Sequence, residues 1–237
     1  MNTTTIKALT FDIFGTVVDW YGTIVREGQV WGAAKGIAID WGQFALDWRA
    51  GYEPAMARVR RGELPWLIID QLHRLILDEL LVQYNITGLS ETEKDHWNRV
   101  WHRLTPWPDA VAGLQRLKTG YIVATLSNGN VALLTNMAKQ VGLPWDCILS
   151  AELFHHYKPD PEVYQGAANL LGLPPNQVLM VAAHQGDLRA AQAAGMRTAF
   201  VPRPLEYGPT QRPDPTVDPS FDLVATDFAD LADQLGV

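Results

Sequence analysis

Five short, mostly apolar runs punctuate the chain, at residues 6–11, 121–127, 147–150, 178–183 and 198–202. Each is too short for a helix and too nearly continuous for a strand with one wet face. Each therefore reads as a strand buried on both faces of a parallel sheet. Between them the period changes. Residues 108–117 place Val111, Leu114 and Leu117 on one stripe, and 131–141 and 162–171 repeat that helical spacing. Gly142, Gly172 and Gly195 fall where helix C-caps are expected. Strand–helix alternation with short connections predicts an α/β fold, a doubly wound parallel sheet of Rossmann-like form with helices on both faces.

Residues 20–104 break that alternation. They carry long helical periodicity, for example over 64–81, and no convincing strand. The expected organisation is a core domain made of 1–19 and 105–237, with an all-helical cap domain, 20–104, inserted after the first strand. Tryptophans gather in the insertion: Trp20, Trp31, Trp41, Trp48, Trp66 and Trp97. Most are read as core packing, since aromatics dominate small cores, with one or two left to wall a pocket. Arg58-Val59-Arg60-Arg61 reads as a solvated helix face. Residues 202–219, with six prolines, read as an ordered surface loop.

Composition narrows the function classes. With 237 residues, 47% of them hydrophobic, the chain has ample material for a core. A formal net charge of −7 argues against nucleic acid and anionic membrane as partners, and obliges any small anionic substrate to find a local cationic pocket. A single cysteine, Cys147, excludes an intramolecular disulfide and a cysteine-built metal site. There is no basic-then-apolar leader and no apolar stretch of membrane-spanning length, so the cytoplasm is the expected location.

The candidate chemistry sits at strand ends, where open α/β sheets place their ligands. Asp12 ends the first strand and Gly15 allows a tight turn; alone, such an Asp is equally a turn cap. Ser127-Asn128-Gly129-Asn130 ends the second strand with a hydroxyl, an amide and a glycine-freed backbone, a cradle for an anion. Lys158, before Pro159, would depress the pKa of a neighbouring carboxylate. Val181-Ala182-Ala183-His184-Gln185-Gly186-Asp187 leads into a further helix.

Taken in this order, Asp12-Ile13-Phe14-Gly15-Thr16 and the three later stretches resemble the four motifs of the haloacid dehalogenase superfamily. The departures are informative. Superfamily phosphatases carry a second Asp where Phe14 stands, to protonate an alkoxide; a halide leaves without a proton. They also carry a magnesium-binding Asp where Ala182 stands. The resemblance is closest to the L-2-haloacid dehalogenases, whose loop reads Asp-x-Tyr-Gly-Thr, and it implies a metal-independent, cofactor-free hydrolase acting on short 2-haloacids. It implies Asp12 as nucleophile, Thr16 as its loop partner and Lys158, Asp187 and His184 as the other catalytic residues, His184 standing where the family more often has Asn. Arg49, Ser127, Asn128, Ile13, Phe14 and Tyr164 form the implied substrate- and halide-binding set. A magnesium-dependent phosphatase and a non-catalytic binding protein are the alternatives. Two further expectations concern shape. The apolar run over 64–81, in a family that commonly dimerises, predicts a homodimer, and the bulk of Phe14 and His184 predicts a cramped pocket favouring haloacetates.

Overall fold

The computed structural model describes residues 5–211 and 216–237. Its centre is a six-stranded, all-parallel sheet in the order β5-β4-β1-β6-β7-β8. These strands are β1 (Ala8–Phe11), β4 (Ile122–Ser127), β5 (Cys147–Ser150), β6 (Val178–Ala182), β7 (Arg197–Phe200) and β8 (Leu223–Val224). Alternate residues leave on opposite faces, as the pleat requires. Leu179 and Val181 join one apolar cluster, while Val178, Met180 and Ala182 join a second. The first cluster is covered by α6 (Ala110–Leu117), α7 (Val131–Val141) and α10 (Phe228–Leu235); the second by α8 (Pro161–Leu170) and α9 (Gln185–Ala193). Helices thus lie on both faces, as the periodicity predicts.

Between two very short antiparallel strands, β2 (Val18–Asp19) and β3 (Thr105–Pro106), the chain runs through helices alone. These are α1 (Trp20–Lys35), α2 (Trp41–Ala50), α3 (Tyr52–Arg60), α4 (Ile69–Gln83) and α5 (Glu91–Asn98), followed by a 3-10 stretch, Arg99–Arg103. Local chemistry sets their ends: Asp19 caps α1 through the Gly22 amide, and Ser90 and Glu93 form a capping box on α5. Residues 64–68 precede α4, so the helix starts later than the periodicity over 64–81 suggests. The core of this segment is aromatic. Trp20, Trp48, Trp97 and Trp101 are fully buried, and Trp31 stacks on Trp97 at 5.0 Å. The apolar run of α4 is spent here too: Ile69, Leu72, Ile76, Leu77, Leu80 and Leu81 are all buried within the one chain. The surplus apolar surface that suggested a homodimer is therefore largely consumed, and Leu75 and Val82 are what α4 leaves exposed.

No helix among the described residues is long and apolar enough to cross a membrane. The loop after β7 departs from its reading as surface, because Arg203 and Glu206 are buried. Residues 212–215 of that loop lie outside the described residues.

Candidate active site

The strand order brings the carboxyl ends of β4, β1 and β6 side by side. Phe11 pairs in register with Thr125 on one side and Val181 on the other. The residues just beyond, Asp12, Ser127 and the 183–184 turn, therefore meet at one edge, where the crossovers to either side of β1 diverge. Gly15 makes the turn after Asp12 possible at φ +85°, and a Cβ there would lie 2.2 Å from Oε1 of Glu206. Behind this loop, Arg203 Nε donates to the Thr16 carbonyl at 2.9 Å and forms a two-pronged ion pair with Asp109. Trp107 Nε1 donates to the Gly15 carbonyl, so the loop is held from two sides.

Asp12 is buried at the centre of a closed set of charges. Lys158 Nζ donates to its Oδ1 at 2.9 Å, while Oδ2 accepts from Thr16 Oγ1 at 2.7 Å and lies 3.0 Å from His184 Nδ1. The same Lys158 donates to Asp187 Oδ2 at 2.5 Å, and the Tyr164 hydroxyl donates to Asp187 Oδ1 at 2.5 Å. His184 Nε2 meets both oxygens of Glu206, at 2.9 and 3.0 Å, and Trp20 Nε1 donates to Glu206 as well.

These contacts fix the protonation states. Burial alone would raise the Asp12 carboxyl, but Lys158 and His184 outweigh it and hold the group far below the usual carboxylate range. Burial also opposes charge on Lys158, yet Asp12 and Asp187 raise its pKa. His184 follows the same logic: against burial, Glu206 and Asp12 lift it to about 10, so it is an imidazolium near neutral pH. Asp187 moves upward, through burial first and the charge of Asp12 next, against the pull of Lys158.

The opposite wall comes from α2 and α3. A cavity of about 710 Å³ is lined by Asp12, Ser127, Asn128, Lys158, His184 and Asp187 on the sheet side, and by Leu46, Arg49, Tyr52 and Met56 on the helical side. The Arg49 guanidinium lies 4.5 Å over the Tyr52 ring, and its buried Nε has no hydrogen-bond partner among the described residues. Burial pushes the Tyr52 hydroxyl up to about 12, so it stays a neutral donor.

Phe14 and His184 do not make the cavity cramped. Phe14 turns edge-on into Trp101 at 5.5 Å and is only 5% exposed, and the His184 ring is tied back to Glu206. None of the tryptophans lines the cavity; Tyr52 and Tyr207 are the aromatic walls besides Phe14 and His184.

Of the expected binding set, Arg49, Ser127, Asn128 and Phe14 face the cavity. Two do not. Ile13 is 1% exposed, packed into the core, with its carbonyl taken by Val17 and Val18. Tyr164 is fully buried on α8 and spends its hydroxyl on Asp187. Asn128 is also a scaffold, accepting the Lys158 amide at 2.6 Å and donating to the Lys158 carbonyl at 3.3 Å. Glu206 and Arg203 escape sequence reasoning because they sit in a proline-rich stretch that carries no periodicity.

A divalent ion does not fit these residues. The Lys158 ammonium occupies the space between Asp12 and Asp187, and Ala182 presents no ligand atom. Magnesium is usually held by one or two carboxylates besides substrate phosphate, and here the two carboxylates share a lysine.

Residues 6–195 match the family model of the haloacid dehalogenase-like hydrolases. The chain is 32% identical to (S)-2-haloacid dehalogenase 4A of Burkholderia cepacia, over 85% of this chain and 87% of that one. Among solved structures it superposes on the L-2-haloacid dehalogenase PA0810 with a TM-score of 0.91 at 47% identity, covering 97% of this chain and 99% of the other. It superposes on the defluorinating L-2-haloacid dehalogenase Rha0230 with a TM-score of 0.95 at 45% identity, covering 98% and 96%.

Proposed function

The chain belongs to the haloacid dehalogenase-like hydrolases and stands among their L-2-haloacid dehalogenases, and from that premise we propose that its site hydrolyses 2-haloacids through an ester formed on Asp12. The activity is hydrolytic dehalogenation, and the phosphatase alternative falls away. One observation carries the mechanistic reading: a buried carboxylate held ionised by Lys158 and His184 faces an arginine across an apolar cavity, with Phe14 where a phosphatase keeps its acid.

In the first step Asp12 attacks the carbon bearing the halogen from the side opposite the carbon–halogen bond. That carbon is inverted and halide leaves with the bonding pair. Arg49, Ser127 and Asn128 take the substrate carboxylate and the departing ion, and the apolar wall desolvates them. Ester formation removes the negative charge of Asp12. His184 thereby loses one of the two carboxylates that keep it protonated, its pKa falls, and it gives its proton to bulk water to become a base. Glu206 keeps the ring oriented. Water then attacks the Asp12 carbonyl carbon and gives one proton to His184. The bond from that carbon to the substrate oxygen breaks, the departing alkoxide takes water's second proton, and the 2-hydroxy acid leaves with Asp12 again a carboxylate and His184 again an imidazolium. Asp187, held by Lys158 and Tyr164, orients that water and the lysine. The overall step consumes water and releases one proton and one halide.

The cavity volume leaves room for chains longer than acetate, and the likeness to a defluorinating relative places fluoride among the leaving groups to be assayed. Halide release from chloroacetate, fluoroacetate and each enantiomer of 2-chloropropionate and 2-chlorobutyrate, with and without EDTA, tests the reading. We expect turnover of the (S) enantiomers that survives chelation; phosphate release from phosphomonoesters under magnesium, without halide release, would reverse it. A homodimer and a cytoplasmic location belong to the same proposal. The first rests on Leu75 and Val82 and is tested by light scattering; the second is in keeping with Cys147, a lone free thiol.

A further inference from the structure

The segment that carries Lys158 is gripped from outside by the helical insertion. Arg60, the last residue of α3, donates from Nη2 to the Lys158 carbonyl at 2.9 Å and to the Tyr157 carbonyl at 3.4 Å, and from Nε to Asp160 Oδ1 at 3.2 Å. Its guanidinium lies 5.8 Å from the centroid of the Tyr157 ring, and Trp66 stacks on the same ring at 4.5 Å. The Tyr157 hydroxyl donates to the Leu67 carbonyl. Residues 60–67, the link from α3 towards α4, therefore form a clasp around residues 157–160. Glu53, itself lining the cavity, holds Arg60 through Nη1 at 2.8 Å.

The clasp closes on a peptide whose placement decides the chemistry. The amide of Lys158 is fixed by Asn128 and its carbonyl is shared between Asn128 and Arg60. Its Nζ must then bridge two carboxylates at 2.9 and 2.5 Å. A shift of about 1 Å at such a site costs on the order of a hundred-fold in rate.

We propose that Arg60 is a positioning residue that couples the helical wall of the cavity to Lys158, so that the ammonium is correctly placed only while α3 is seated. The proposal rests on the functional reading above, in that Lys158 is taken to hold Asp12 ready for attack. Surface ion pairs with Glu53 and Asp160 contribute little by themselves. The carbonyl contacts are what an exposed arginine does not ordinarily make.

The test compares wild type with Arg60→Gln and Arg60→Lys in steady-state halide release, alongside the nitrogen-15 resonance of the Lys158 ammonium in the resting protein. The expected result for Arg60→Gln is a fall in kcat of roughly ten-fold or more with KM nearly unchanged, the signature of a lost transition-state interaction. Arg60→Lys, which keeps one donor for the Lys158 carbonyl, should recover part of it, and the protected ammonium signal should broaden in Arg60→Gln. Wild-type kcat in Arg60→Gln, a change confined to KM or to thermal stability, or an unaltered ammonium signal would overturn the proposal. The resonance needs no turnover, so it still decides on the clasp if wild type releases no halide.

Discussion

The two walls of the cavity are built on opposite electrostatic plans. On the sheet side every charge is answered: Asp12 by Lys158 and His184, Asp187 by Lys158 and Tyr164, His184 by Glu206. On the helical side Arg49 sits on Tyr52 among Leu46 and Met56, with a buried Nε that finds no partner among the described residues. The first plan is what a nucleophile needs, because mutually satisfied charges in a dry site hold their geometry and cost no reorganisation when the reaction starts. The second is what an anionic substrate needs. A cation already paired with a carboxylate would have to be freed before it could bind another. Preorganised chemistry on one wall and an unfilled cation on the other thus divide catalysis from capture.

That division predicts which variants harm folding and which harm only turnover. Lys158→Met should be the most damaging, leaving Asp187 without its cation and Asp12 with His184 alone. Breaking a buried pair in this way costs about 3–5 kcal/mol, read as a large drop in the denaturant midpoint together with loss of halide release. Arg49→Met should do the reverse. We expect kcat/KM to fall by roughly a hundred-fold or more, the weight of a charge-assisted contact to substrate, while thermal stability holds or rises because an unsatisfied buried donor is gone. Equal losses of stability in both variants would erase the distinction between the walls.

His184→Gln should slow ester hydrolysis by about a hundred-fold or more, the usual worth of a general base. Intact mass spectrometry should then catch the substrate fragment on the protein. In wild type, kcat should rise with pH along a limb lying below about 10, because the ester no longer supplies the carboxylate that lifts His184 to that value. The same residue makes a further predicted difference, in the pH dependence of stability. Its pKa is higher folded than unfolded, so its stabilising contribution is complete below about pH 6.5 and is lost as pH climbs through about 10. The contribution should be missing from the alkaline denaturation profile of His184→Gln.

Legibility in the sequence followed the same division. The sheet wall was readable because its residues sit at strand ends, where an apolar run stops at Asp12 or Ser127, and because the order of motifs constrains what each can do. Lys158, Asp187 and His184 were found that way, and all three reach Asp12 or its partner lysine. The helical wall was not. Helical periodicity announces α4 but does not say that its apolar stripe is consumed in the same core cluster as Trp48, Trp97 and Trp101, nor that the cavity is faced by Tyr52 and not by tryptophan. Glu206 and Arg203 are invisible for another reason: they sit in a proline-rich stretch without periodicity, and only the path of the loop after β7 carries them inward. Position within the motifs points Tyr164 and Ile13 towards the substrate, whereas their side chains meet Asp187 and the core.

The central claim is that Asp12 is alkylated and then released by attack of water on its own carboxyl carbon. A single turnover in oxygen-18 water, with protein in excess over substrate, tests it most directly. The label should enter the peptide containing Asp12 and be absent from the 2-hydroxy acid formed in that first cycle. Label in the first-cycle product, with Asp12 unlabelled, would mean that water displaces the halide directly and would contradict it.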